Sequence, residues 1–388
     1  MEHLRVGFFT EIFRPVVNGV VESVDALAVD LRGRGHEVYC FAPSMPGARE
    51  HEATVFRMPS LPLPRSPYRL TLPLVSRRNV NNIIKRLTLV HVHSPFVTGW
   101  LGVRYARRYG MPVVYTYHTH LEAYAHYVPF EANATRFAAS QLTRTFGNLV
   151  DAVVVPTPAM AKHLRDVGVE SRIETVPSGI DVESFGRGTR DESLRRRVGV
   201  GSGERLVLIV SRLAREKNVG LVLRALALTA QTDIKLVVAG DGPLREELQD
   251  RARALGVAER VVFLGAVARE QLPDLYASAD AFAFPSTSET QGLVQAEALA
   301  AGAYVIAADS DPNREVLGGA GTIVAPMAQA FADAMAAVPP EAAPGRIRGA
   351  KLAAERFGIS RQTDRILELY QSLLDPRPQR SSKMRDSA

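Results

Sequence analysis

Eleven short apolar runs, each followed by a polar or helix-period segment, constrain this chain more than any other feature. Strands separated by helices cannot be joined as tight hairpins. Each crossover returns the next strand parallel to the last, so the pattern predicts parallel sheets covered by helices on both faces. Five runs, at residues 5–9, 37–42, 89–93, 112–116 and 152–155, precede an interruption at 177–181, Pro-Ser-Gly-Ile-Asp. Six more follow at 205–210, 235–239, 261–264, 281–284, 304–307 and 321–324. At 388 residues, 46% of them apolar, the chain exceeds one ordinary core. The interruption therefore separates two α/β, doubly wound domains, 1–178 and 179–356, facing a cleft. An amphipathic helix is expected at 357–375 and a disordered tail at 376–388.

Composition removes several functions. Cys40 is the single cysteine, so neither a disulfide framework nor a thiolate-rich metal site can form. No apolar run is long enough to span a bilayer, and the N-terminus passes straight into a strand, which predicts a cytoplasmic protein. The net charge of +6 is lopsided: residues 1–180 carry 20 Lys+Arg against 14 Asp+Glu, whereas residues 181–388 carry 27 of each. From Ala53 to Leu121 there is no acidic residue at all, but ten basic ones. Such a field attracts anionic surfaces.

In doubly wound folds ligands bind beyond the carboxyl ends of strands, where helix N-termini offer free N–H groups. Four segments occupy such places. After the run at 281–284, Pro285, Ser286 and Gly292 form a small-residue loop, and Leu293, Ala296, Leu299 and Ala300 recur at helical spacing. Glu289 thus sits before a helix and Glu297 on it, carboxylates able to grip hydroxyls. After the run at 205–210 come Arg212 and Lys217, a planar fork and a mobile point charge suited to a diphosphate. The loop from Thr10 to Gly19 ends in a residue small enough for backbone to approach a phosphate. After the run at 112–116, Tyr115 to Tyr127 is dense in polar ligands, His118 among them.

Glu289, seven residues, then Glu297 resembles the signature of the family 4 retaining glycosyltransferases of the GT-B fold, two Rossmann-like domains. The resemblance spans almost the whole chain. It implies that Glu289 contacts the transferred sugar and Glu297 the nucleotide ribose, while backbone amides at Gly292 and Leu293 meet sugar and phosphate. It implies an Arg212–Lys217 clamp on the leaving diphosphate, His118 as the active-site histidine, Val267 as a base contact and a terminal helix crossing back to the first domain. The His-Thr and downstream His-Tyr pattern at 118–127 resembles in particular the bacterial diacylglycerol glucosyltransferases. The expected reaction is transfer of a hexose from a nucleotide diphosphate sugar, UDP-glucose, to a membrane lipid such as diacylglycerol, with retention and without metal or other cofactor. Alternatives are a soluble sugar, phosphatidylinositol or polysaccharide acceptor, or a nucleotide-sugar epimerase on the same fold.

Zinc is the competing thought for His91, His93, His118, His120 and His126, but they form no organised ligand motif and no thiolate backs them. Asp309-Ser-Asp311 looks like an acidic metal triplet, yet falls late in the second sheet and reads as a loop. Between 61 and 86, leucine and proline interleave with Arg65, Arg69, Arg77, Arg78, Lys85 and Arg86. This is the composition of a surface that dips into anionic headgroups, predicting peripheral attachment to the inner face of the cell membrane. Nucleic acid is not expected, since no recognition motif accompanies the charge and the second domain is neutral.

Overall fold

The computed structural model describes residues 3–46, 48, 53–62, 69–73, 78–127, 131–338 and 343–375. Strands in chain order are β1 (Arg5–Phe9), β2 (Glu37–Pro43), β3 (Val55–Met58), β4 (Ser60–Pro62), β5 (Arg69–Thr71), β6 (Leu89–Val92), β7 (Val113–Thr116), β8 (Ala152–Val155), β9 (Arg172–Thr175), β10 (Arg205–Val210), β11 (Ile234–Ala239), β12 (Val261–Gly265), β13 (Ala281–Phe284), β14 (Val305–Ala308) and β15 (Thr322–Val324). One seven-stranded sheet runs β3-β2-β1-β6-β7-β8-β9, a six-stranded sheet runs β12-β11-β10-β13-β14-β15, and β4 pairs with β5 as a separate hairpin. Every pairing within the two large sheets is parallel; β4 and β5 are antiparallel.

Side chains alternate across each strand and so feed two cores per sheet. Val6 and Phe8 pack with Val24, Leu27 and Leu31 of the helix Gly19–Gly33, while Phe9 packs on the other face with Leu101 and Val103 of the helix Val97–Tyr109. In the second sheet Leu206 and Leu208 face one core, Val207 and Ile209 the other. Ala353 and Phe357 belong to the second domain's core, but Ile366, Leu367, Leu369 and Tyr370 of the helix Ile359–Leu374 belong to the first domain's. The chain crosses between domains beside residues 177–181: Ile180 donates its N–H to Phe357 O at 2.7 Å and accepts from Ile359 N at 3.2 Å.

Three elements differ from the sequence expectation. β3, β9 and the β4–β5 hairpin carry no long apolar run: β3 and β9 are four-residue sheet edges, β3 interrupted by Arg57 and β9 polar at Arg172, Glu174 and Thr175, and the hairpin strands are three residues each. Among the described residues no helix is long and apolar enough to cross a membrane.

Candidate active site

Strand order reverses between β1 and β6 in the first sheet and between β10 and β13 in the second. Loops leaving neighbouring strands on either side of such a reversal diverge and open a crevice at the carboxyl edge. Arg212 and Lys217 leave β10 and Glu289 leaves β13, so topology alone brings the predicted cations and the loop carboxylate together. Lys217 Nζ forms an ion pair with Glu289 Oε1. Arg212 Nη2 lies 2.5 Å from the buried Glu216 carboxylate, one turn along the same loop. Ser286 Oγ donates to Glu216 O at 3.0 Å and reaches Glu289 Oε1 at 3.3 Å.

Glycines shape the walls. Gly240 has φ +133°, and a Cβ there would fall 1.9 Å from Ser211 O, so the loop after β11 can lie on the Arg212 loop only without a side chain. Gly292 caps the helix Leu293–Ala300 with φ +80°, and a Cβ would meet Phe284 at 2.9 Å. Among the described residues no side chain caps that helix start. Across the cleft lies Gly19, whose added Cβ would sit 3.6 Å from the Leu293 side chain.

Glu297 is neither a solvated charge nor a cap. It is 3% exposed, accepts from Arg269 Nη1 and Tyr276 OH, each at 3.1 Å, and burial raises its carboxyl above the usual range despite Arg269. Arg269 also reaches Glu22 at 3.1 Å, linking the second domain to the helix after Gly19. Val267 is half-buried beyond β12 and packs on the second domain's core.

His118 comes from the first domain. Its Nε2 lies 3.0 Å from His93 Nδ1, and its carbonyl accepts from Thr290 Oγ1 at 3.0 Å across the cleft. Burial lowers the His118 imidazole to about 4, so the ring is neutral near pH 7. His91 and His93 are buried, His91 held by Tyr370 OH at 2.6 Å and Thr116 Oγ1 at 2.7 Å. Asp309 and Asp311 both pair with Arg314, and Ser310 caps the helix Asp311–Leu317, which accounts for that triplet.

Sequence reasoning passed over the residues that fix this loop. Gln291 accepts from Ser178 N at 2.8 Å and donates to Ser178 O at 3.0 Å, and Asn313 Nδ2 donates to Ser286 O at 2.9 Å. Glu11, buried after β1, accepts from Thr71 N and from Thr98 N and Oγ1. Glu216 alone had a signal, its place four residues after Arg212. Of the basic surface, Lys85 and Arg86 are exposed, Arg78 opens the helix Arg78–Ile84, and Arg69 turns its guanidinium onto Ser60. Arg65, Arg77 and the tail 376–388 lie outside the described residues.

Two family profiles divide the chain along the same two units: Glycosyltransferase Family 4 matches residues 17–184, and Glycosyl transferases group 1 matches 190–339. The alpha-monoglucosyldiacylglycerol synthase of Streptococcus pneumoniae is 34% identical over 316 residues, covering 78% of this chain and 71% of its own length. The chain belongs to the family 4 glycosyltransferases. A GDP-mannose-dependent alpha-mannosyltransferase of Mycobacterium tuberculosis is 34% identical over 325 residues, 81% of each chain. The crystal structure of Anabaena HepE in complex with UDP superposes on this glycosyltransferase with a TM-score of 0.78 at 20% identity, over 95% of this chain and all of the other, which makes the fold GT-B.

Proposed function

We propose that this glycosyltransferase moves glucose from UDP-glucose to a membrane diacylglycerol, with retention and without a metal in the transfer step. The observation that carries the reading is the relationship to a glucosyldiacylglycerol synthase through both domains. The site's chemistry supports it. Arg212 and Lys217 face the crevice where charge grows on a departing diphosphate, a task a metal performs elsewhere. Glu289 takes sugar hydroxyls, the amides at Gly292 and Leu293 take sugar and phosphate, Glu297 takes the ribose, and Val267 borders the base. Gly19 lets backbone approach from the first domain. Neutral His118 offers a hydrogen bond to sugar and phosphate without adding a second charge. The donor phosphate receives the acceptor proton on the face that the diphosphate leaves.

A lipid acceptor requires a surface. Leu61 and Leu70 stand directly opposite one another on the β4–β5 hairpin and are 53% and 45% exposed, beside the acid-free basic span. Exposed leucines in the same acid-free stretch of sequence as the exposed Lys85 and Arg86 suit shallow insertion into an anionic layer on the cytoplasmic face, each cation contributing about 1 kcal/mol. A second reading, with GDP-mannose as donor, is favoured by the mannosyltransferase relative.

The test is the purified chain with either donor and diacylglycerol in anionic or neutral vesicles, without added divalent cation. An α-linked glucolipid from UDP-glucose, formed faster on anionic vesicles, is expected. Product from GDP-mannose alone moves the donor to the second reading, and glycosylation of soluble sugars with no lipid product removes the lipid acceptor.

A further inference from the structure

Apart from the cleft, three side chains from two elements converge in a way the transfer chemistry does not use. His120 immediately precedes the 3₁₀ helix Leu121–Tyr127, Glu122 lies in its first turn, and His163 comes from the helix Pro158–Asp166. His163 Nε2 is 3.5 Å from Glu122 Oε1, and His120 Nε2 is 3.7 Å from Glu122 Oε2. One ligand atom of each lies within 4.8 Å of the other two.

Ion pairing alone accounts poorly for this arrangement. Both N···O separations are longer than an ordinary hydrogen bond, and Glu122 Oε1 and His163 Nε2, which face each other at 3.5 Å, are shut off from solvent with no hydrogen bond of ordinary length among the described residues. Buried polar atoms left unsatisfied call for an explanation, an ion among them. The spacing supplies one. Zinc bonds nitrogen and carboxylate oxygen at about 2.0–2.2 Å, so ligand atoms at the corners of its tetrahedron stand roughly 3.3–3.6 Å apart. A cation between these three would need to draw them together only slightly.

We propose that His120, Glu122 and His163 form a site for one zinc-class divalent cation, with a fourth position open to water. Two imidazoles and a carboxylate favour zinc and disfavour magnesium, which prefers an all-oxygen shell. Tyr117 OH donates to Glu122 Oε2 at 3.3 Å, an outer contact of the kind that orients metal ligands. The position gives the site its role. His120 is two residues beyond His118, and Thr157, which caps the helix carrying His163, donates to Thr290 O in the Glu289 loop at 3.0 Å. A bound cation would pin the segment that presents His118 to the helix that touches the sugar loop, as a staple and not as a participant in transfer.

Chelator-stripped full-length protein would be titrated with zinc chloride by calorimetry, and with cobalt(II) to read coordination from its visible spectrum. Neither measurement needs donor or acceptor, so the result stands apart from the transfer reading. One equivalent of zinc and a tetrahedral or five-coordinate cobalt spectrum are expected. Since outer-shell changes cost 10–100-fold in affinity, Glu122→Gln and His163→Gln should each weaken binding at least about 100-fold. His3→Gln, at a surface histidine away from the cluster, should leave binding unchanged. Should Glu122→Gln fail to fold, His163→Gln, on a half-exposed helix position, carries the comparison. Zinc binding as tight in His163→Gln and His120→Gln as in wild type, or no binding by wild type above that of the triple variant, overturns the site.

Discussion

Replacing Lys217 by alanine removes the cation nearest the Glu289 carboxylate and, on the proposed chemistry, one of two facing the departing diphosphate. The two side chains are 20% and 16% exposed, so the pair is neither dry nor fully solvated. At an effective dielectric near 20 a contact at about 4 Å is worth roughly 4 kcal/mol, an upper figure that water at the cleft mouth reduces. A loss of about 2.7–4 kcal/mol of transition-state stabilisation follows, a fall in kcat of about 10²–10³-fold, the size seen when one preorganised charge-stabilising donor is deleted. Folding should barely register the change, because a part-exposed ion pair contributes about 1 kcal/mol or less, a melting shift of a few degrees. Initial rates at saturating acceptor, with nucleoside diphosphate titrations beside them, separate the effects. Adding Glu289→Gln should cost less in the Lys217→Ala background than in wild type, because each group holds the other in place. Near-normal kcat in a folded Lys217→Ala protein would refute the leaving-group role, and strictly additive losses would refute the coupling.

Glu297→Gln should weaken UDP affinity about 10–100-fold while Glu289→Gln chiefly lowers turnover, since one carboxylate is buried against Arg269 and Tyr276 and the other is paired in the loop. Calorimetry and initial rates giving the same profile for both variants would defeat this division. Acid should destabilise the first domain: burial holds His91 at about 3, His118 at about 4 and His93 well below 6.5. Unfolded imidazoles bind protons below about 6.5, so the unfolded state gains protons that the folded state refuses, and stability falls as pH drops from about 6.5 toward 4. Urea midpoints across that range, compared between wild type and His91→Gln, measure it; a flat wild-type profile would contradict the buried neutral triad.

The fold was legible because parallel strands buried on both faces must be apolar, as β8 and β13 are throughout and β1 is after Arg5, whereas edge strands need not be, which hid β3 and β9. The site was legible where chemistry and punctuation coincide. Glu289 precedes a glycine-started helix that carries Glu297, and Arg212 and Lys217 share one loop, so the meeting of Lys217 with Glu289 followed from strand order. Gln291 and Asn313 gave no signal because they act on backbone atoms of residues far off in sequence, Ser178 and Ser286. The His120–Glu122–His163 group was hidden for the same reason, its third member arriving from a helix 41 residues beyond Glu122.

Among the described residues, and away from the terminal helix and the crossing point, the contacts across the cleft include several polar ones. Thr290 to His118 O, Thr157 to Thr290 O, Ala159 N to Glu315 and Arg269 to Glu22 span the cleft, while Ser286 to Glu216 O and Asn313 to Ser286 O stay within the second domain. At roughly 0.5–1.5 kcal/mol net for each hydrogen bond, opening the cleft costs only a few kcal/mol from these contacts. The anchors inside the second domain would survive such an opening, keeping Glu289 and Lys217 together in either state. What opening would remove is the first domain's share, the His118 carbonyl contact and the Gly19 wall. A donor that touches both sides therefore gains by closure an amount comparable to what the bare protein holds, which is the condition for a ligand to set the population of the closed form. Gln291 ties this to the hinge. By gripping both the N–H and the carbonyl of Ser178, it ties the Glu289 loop to the crossing point at 177–181, so a widening of the cleft about that point would carry the loop with it and leave these two bonds intact.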